Sequence, residues 1–448
     1  MLEMEYLLKT EWFYLNPKKA AKVKASLEER LQENQCSKGG RVLPVALMPL
    51  LIGDNERRLF QYTAEIMSRI IQKTVEASFT SARVRQYFAY EELPQEWLTS
   101  DPGYKAVTML ATFDVLFDGK NLHYIAFNTD NPPGLGWSDL VRAVMADHPF
   151  YKTLVMFPEA EARPYVLEEG FAATKTIYQE FRQGKTSSTR VVFIAYRGAE
   201  NIGDTQLCVD FFNRRGVKAT LVDPRDFQFK DGVAYVEEQR VDVVRRHINA
   251  NEFLKYPKEL QPFLKGYLSK AFCMVNPFRS VYGSEKAIFA LITTPEFHHL
   301  YTEEEIKVIR RHIPWTRRMC DLETTAPDGG KIQLKQFVSQ KREELVIKPS
   351  WGRGGENVTL GLMTTQEEWD KLVNTYQGNK DWVVQSYVPV PRIPQPVIKG
   401  KKVTVERKHF NLSLFVLNGK YVDTWGCVSG TPSTSLQKDG AILPVFRY

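Results

Sequence analysis

Apolar positions along this 448-residue chain change period several times, and each change marks an element. Residues 17 to 35 and 55 to 78 carry helical spacing; in the second stretch Leu59, Tyr62, Ile66 and Ile70 form a stripe expected to pack in the core. A helix is predicted over 137 to 146, opening near Ser138 and Asp139, which are suited to capping. From about 166 to 285 the pattern alternates: helix at 168 to 182, a buried strand at 190 to 196, helix at 204 to 215 and a strand at 219 to 222. That is a βαβ order and predicts a parallel sheet. A hairpin through Asp231-Gly232 and a strand at 241 to 247 carrying Arg245 and Arg246 complete this region. Further on, Thr302 followed by three glutamates opens a helix that ends before Pro314, and Asn418-Gly419 marks a hairpin. The proline-rich run 389 to 396, with Lys399 to Lys402 after it, reads as an exposed loop. Three regions result, 1 to 165, 166 to 285 and 286 to 448.

One glycine-rich segment carries candidate chemistry. Val346 and Ile347 open an apolar run, Lys348 ends it, Gly352, Gly354 and Gly355 follow, and Val358, Leu360 and Leu362 resume a period-2 pattern. Glycines without Cβ atoms let backbone N–H groups close on phosphates. A P-loop is excluded, because it needs Lys-Ser/Thr after its last glycine and then a helix. A dinucleotide fingerprint also runs from strand to helix, whereas this loop runs from strand to strand. Protein kinases place their lysine after the glycines and carry His-Arg-Asp and Asp-Phe-Gly signatures, which are absent here. The residues alone leave open an ordinary hairpin with a solvated lysine.

Other segments supply context. Residues 381 to 389 read as a short apolar strand and its exit, with Gln385 and Tyr387, while 276 to 291 read as a loop entering a helix that carries Lys286. Near the N-terminus, Thr112-Phe-Asp-Val-Leu-Phe-Asp-Gly, with alternation at Leu122, Tyr124 and Ala126 and then Asn128 before Pro132-Pro-Gly134, predicts a hairpin through Asp118-Gly119. In this order the motifs resemble the circularly permuted branch of the ATP-grasp family, which includes glutathionylspermidine synthetase-like ligases. The metal-binding segment of that branch precedes the glycine lid. The resemblance implies an α/β (α+β) fold, a circularly permuted ATP-grasp core with a pre-ATP-grasp parallel-sheet domain. It also implies an ATP-dependent carboxylate-amine ligase working through an acyl phosphate. Lys286 and Lys348 would bind ATP, Gly352, Gly354 and Gly355 would cover its phosphates, and Gln385 and Tyr387 would lie at the adenine hinge. Asp114 and Asn128 would hold Mg2+, and Lys348 with Arg246, or its neighbour Arg245, would face the reacting groups. Two positions depart from the family pattern: Thr112 replaces an arginine and Ala126 a metal-ligating glutamate. Asp130 and Asp118 are the nearby carboxylates that could substitute, although neither spacing predicts it. The alternative reading is a nucleotide-binding protein of the same fold without ligase activity.

Composition changes this picture little. A net charge of +7, spread along the chain, gives no nucleic-acid stripe. Five widely spaced cysteines without a Cys-x-x-Cys pair argue against a zinc site or disulfide scaffold and suit a reducing cytoplasm. No apolar stretch approaches the roughly 18 residues needed to span a bilayer, and the first residues lack a signal-peptide pattern. The expected partners are a small carboxylate (an amino acid or small peptide) and an amine, with a carrier protein as a further candidate, and neither nucleic acid nor membrane.

Overall fold

An 8-residue strand near position 114 pairs with a 16-residue strand near position 413, and this long-range pairing organises the chain. The computed structural model describes residues 2–88, 93–155, 165–184, 189–200, 202–352, 357–436 and 439–447, with backbone alone for 2–5 and 154–155. Helices α1 (Leu2–Leu15), α2 (Pro17–Glu33) and α3 (Asp54–Thr80) lead to the hairpin β1 (Leu110–Phe117) and β2 (Leu122–Asn128). Next come α4 (Leu135–Asp147) and α5 (Tyr165–Phe181). The alternating region is β3 (Arg190–Ile194), α6 (Ile202–Arg214), β4 (Lys218–Val222), β5 (Val243–Arg246) and β6 (Cys273–Val275). These strands form a parallel sheet in the order β6-β5-β3-β4, as the βαβ pattern predicts.

After α7 (Ala287–Ile292) and α8 (Glu303–His312) come β7 (Thr316–Arg318), β8 (Leu345–Pro349), β9 (Thr359–Leu360), α9 (Gln366–Tyr376) and β10 (Trp382–Ser386). Their strands make an antiparallel sheet, β7-β10-β8-β9, over a small core of its own that includes Trp315, Ile347, Trp369 and Val384. Further along come β11 (Arg392–Lys399), β12 (Lys402–Leu417), β13 (Lys420–Ser429) and β14 (Ala441–Leu443). These join the N-terminal hairpin in one antiparallel sheet, β14-β13-β12-β1-β2, with β11 also paired to β12. The protein is therefore mixed α/β, with parallel and antiparallel sheets.

Strand alternation divides the large sheet between core and site. Phe113 and Val115 of β1 and Leu412, Leu414 and Val416 of β12 pack with α3 in the main core, so the intervening residues face the other way. The core stripe of α3 is Phe60, Thr63, Met67, Ile70 and Ile71. This corrects the expected one: Ile66 and Ile70 are buried, but Tyr62 is half exposed and donates its hydroxyl to Glu304.

Three further expectations are corrected. The strand after the glycine loop stops at Leu360, because Gly361–Met363 turns into a 3-10 helix. The proline-rich segment is a strand, not a loop; only the turn at Gly400-Lys401 separates β11 from β12. Helix α4 begins at Leu135, three residues before the expected caps. Gly134, at φ 92°, turns the chain into it, and the N–H groups of Gly134, Gly136 and Trp137 donate to the Asp204 carboxylate at 2.7, 2.8 and 2.9 Å. Asp139 instead caps α5, accepting from Val166 and Leu167. Replacing Asp204 with Ala leaves three buried donors without their acceptor and should cost about 2–4 kcal/mol in urea unfolding; a loss under about 1 kcal/mol would show that the cap is dispensable.

Candidate active site

Residues directly opposed in a sheet share a face. The register sets Asp114 opposite both Ala126 on β2 and Ser413 on β12, with Trp425 of β13 opposite Ser413. Ala126, Asp114, Ser413 and Trp425 therefore form one row across four strands. Thr112 stands opposite Asn128 in the adjacent row, and Asn411 opposite Cys427 on the other side. This polar face floors a cavity of about 380 Å³, whose opposite wall comes from β8, β10 and the Lys286 segment.

Lys348 and Lys286 meet in this cavity. The Lys348 ammonium, at the end of β8, is buried and donates to Gln385 Oε1 at 2.8 Å and to the Ile125 carbonyl of β2 at 3.1 Å. Gln385 donates in turn to Thr316 Oγ1 at 2.8 Å, so its side chain orients the lysine. Tyr387, just beyond β10, lines the cavity and donates its N–H to the Glu344 carbonyl. Lys286 stands just before the first residue of α7, and its ammonium donates to the Gly352 carbonyl at 3.0 Å. Gly352 has φ 135°, a conformation that favours glycine, and a Cβ there would meet Pro349 at 3.3 Å. Gly354 and Gly355 lie outside the described residues.

Burial pushes the Lys348 amine down to about 7, and the neighbouring Lys286 adds to the effect. Burial pushes the Asp114 carboxyl up, against hydrogen bonds from Ser413 Oγ at 2.5 Å and Asn128 Nδ2 at 3.1 Å. Asp114 and Asn128 are thus together in the cavity. Neither of the two nearby carboxylates joins them: Asp130 pairs with Arg246, and Asp118 is tied into the β1–β2 turn by Lys120 and Asn121. Among the described residues no group of three or more His, Cys, Asp or Glu side chains could hold a metal. One carboxylate and one carboxamide fit a magnesium ion that takes its other ligands from phosphates and water.

The arginines fall elsewhere. Arg246 has no exposed side-chain surface; its guanidinium pairs with Asp130 at 2.5 Å and donates to the carbonyls of Ile248 and Asn276. Arg245 is buried over Phe193 and Phe212 and donates to Thr174. Neither lines the cavity, which corrects the expectation of a cleft-facing arginine; His247, next in the chain, does line it. Trp137, Asn411, Ser413 and Trp425 also line it without having been singled out from the sequence. The spacing of Asn411 and Ser413, two polar positions alternating with leucines, was the available signal.

No protein-family model and no curated protein matches the sequence. Among solved structures, a glutathione synthetase-like effector (GSS30) from Globodera pallida in its apo form aligns with TM-score 0.63, at 11% identity over 96% of this chain and 98% of the other. What the two share is the fold. A protein described as "Putative gamma-glutamylcysteine synthetase" from Methylobacillus flagellatus KT aligns with TM-score 0.41 and 9% identity, over 85% of this chain and 88% of the other.

The Lys348 environment makes stability depend on pH. Its native value of about 7 lies below the ordinary 10.5, so between the two the unfolded chain binds more protons and stability rises with pH. The unfolding free energy of wild type minus that of Lys348→Met should increase from about pH 7 to about pH 9 in denaturant titrations. A difference flat across that range would refute the buried-cation account.

Proposed function

We propose that the protein is an ATP-dependent carboxylate-amine ligase of circularly permuted ATP-grasp type, forming an amide through an acyl phosphate and releasing ADP and phosphate. The observation that carries this reading is the convergence of Lys286, Lys348, Gly352, Asp114 and Asn128 on one cavity, with Lys348 bonded to a strand 223 residues earlier in the chain. The pairing of the early β1–β2 hairpin with the late β12 supports the permuted order. The fold likeness to a glutathione synthetase-like effector is consistent with ligase chemistry. The division 1–165, 166–285 and 286–448 then corresponds to the metal-binding part of the core, the parallel-sheet domain, and the lid with the remaining core.

In this reading the ATP phosphates lie between the two lysines. Gln385 and the Ile125 carbonyl hold the Lys348 ammonium in place, and the phosphate charge restores its proton. The substrate carboxylate attacks the γ-phosphorus, ADP leaves, and an amine then displaces phosphate from the acyl carbon. The protein contributes positioning and charge neutralisation, not covalent chemistry. Asp114 and Asn128 would hold magnesium, which supplies further neutralisation at the phosphates. Ala126 opposite Asp114, with Asp130 and Asp118 engaged elsewhere, favours the second reading, a nucleotide-binding protein without ligase activity.

Calorimetry with ATP, with and without magnesium, tests both. Lys348→Ala should weaken ATP at least about tenfold, as expected for loss of a charge-assisted contact, and wild-type binding above about pH 7 should take up a proton. Ala126→Glu should strengthen the magnesium dependence. ATP binding indifferent to magnesium, with no phosphate release across a panel of amino acids, would select the non-catalytic reading. Absence of ATP binding would overturn both.

A further inference from the structure

Ser413 brings a third oxygen to the Asp114 and Asn128 pair. Its hydroxyl donates to Asp114 Oδ1 at 2.5 Å, while the Asn128 amide donates to Oδ2 at 3.1 Å. The register sets Asp114 between Ser413 on β12 and Ala126 on β2. All four residues are half-buried and line the cavity, so this part of its floor is open to a ligand. Packing does not call for a hydroxyl here: Leu412 and Leu414 supply the core contacts of this stretch, and residue 413 is on the opposite face. Thr112, the other hydroxyl residue nearby, stands in the adjacent row and is buried.

The spacing of these oxygens suits a shared cation. Magnesium holds oxygens at about 2.0–2.1 Å in an octahedral array, so adjacent ligands are about 2.9 Å apart. The 2.5 Å between Ser413 Oγ and Asp114 Oδ1 has to open by only about 0.4 Å when the hydroxyl proton turns away and a lone pair takes its place. Serine and threonine hydroxyls already serve as ligands to phosphate-bound magnesium in P-loop proteins. On the other side of Asp114, Ala126 offers no oxygen.

We propose that the Ser413 hydroxyl is a direct magnesium ligand, forming with Asp114 and Asn128 a three-oxygen set in which a serine on β12 supplies what an alanine on β2 does not. This rests on the ligase reading for the phosphates that share the ion, though not for the ion site itself. The set carries one negative charge, so the remaining positions fall to phosphate oxygens and water. A serine that only oriented Asp114 would also lower metal affinity on removal, by about 10–100-fold. Loss alone therefore does not separate a ligand from an orienting group, but the softness of the ligand atom does: a thiol in place of the hydroxyl disfavours magnesium and favours a soft ion such as cadmium.

The test compares Ser413→Ala and Ser413→Cys, both in a Cys427→Ala background because Cys427 also lines the cavity. ATP binding is measured by calorimetry in magnesium and in cadmium, and binding of cadmium alone by the ultraviolet band of a cadmium–thiolate bond. In magnesium both variants should bind ATP at least about tenfold more weakly than the background. In cadmium Ser413→Cys should recover to within about threefold of the background, whereas Ser413→Ala should not. Cadmium alone should give a thiolate band in Ser413→Cys that the background lacks, and adding Asp114→Asn should weaken that binding at least about tenfold. No loss of ATP binding in Ser413→Ala, equal losses for the two variants in both metals, or a cadmium band that is absent or indifferent to Asp114→Asn would overturn the proposal. A cadmium site that needs Asp114, in a protein that does not bind ATP, leaves the ion site standing and removes the ligase reading. Magnesium-dependent ATP binding untouched by either serine variant does the reverse.

Discussion

The pairing of β1 with β12 is the constraint on which the site depends. Ser413 donates to Asp114 across a sequence separation of 299 residues, and without that register no polar row would face the lysines. A slip of one residue would turn Asp114 and Ser413 into the core and Phe113 and Leu414 into the cavity. Burial of Phe113, Val115, Leu412 and Leu414 against α3 enforces the correct alternative. The hydrophobic effect thus sets the position of the polar groups, although they contribute little to it.

The second organising element is the lysine pair. A buried ammonium bonded only to a carboxamide and a carbonyl is destabilised, and the like charge of Lys286 deepens this. Nothing in the core requires a cation there. Under the proposed function the ATP phosphates would supply the missing negative charge, and the stability lost in the free protein would reappear as affinity for that anion. Arg246 shows the contrast: equally buried, it is paired with Asp130 and bonded to carbonyls, and behaves as structure.

Much of this was legible in the sequence where local chemistry decided the outcome. The capping box Thr302–Glu305, the Asn418-Gly419 turn and the parallel order around 190 to 275 all follow from residues adjacent in the chain. The failures come from tertiary context. Pro394 and Pro396 suggested a loop, but β11 is bonded on one side only, and an edge strand tolerates proline. Ser138 and Asp139 looked like caps of their own helix, yet the cap came from Asp204 on a neighbouring one. The Lys348 and Lys286 pairing was anticipated in kind but not in geometry. Trp137 belongs to no motif, and only the folded arrangement of α4 against the large sheet brings it to the cavity wall.

The alanine at position 126, opposite Asp114, bears on both functional readings through the same geometry. A row holding Ala, Asp, Ser and Trp offers one anionic ligand where two would bind magnesium independently of substrate. Under the proposed function, a single carboxylate would leave the metal to be recruited chiefly by phosphate oxygens, so metal and nucleotide would bind together. The absent side chain also leaves room beside Asp114, and the apolar Trp425 closes the far end of the row. Under the proposed function, such a site would give up affinity for the free ion and keep space and apolar contact for an organic substrate, so an alanine at position 126 is compatible with the ligase reading as well as with the non-catalytic one.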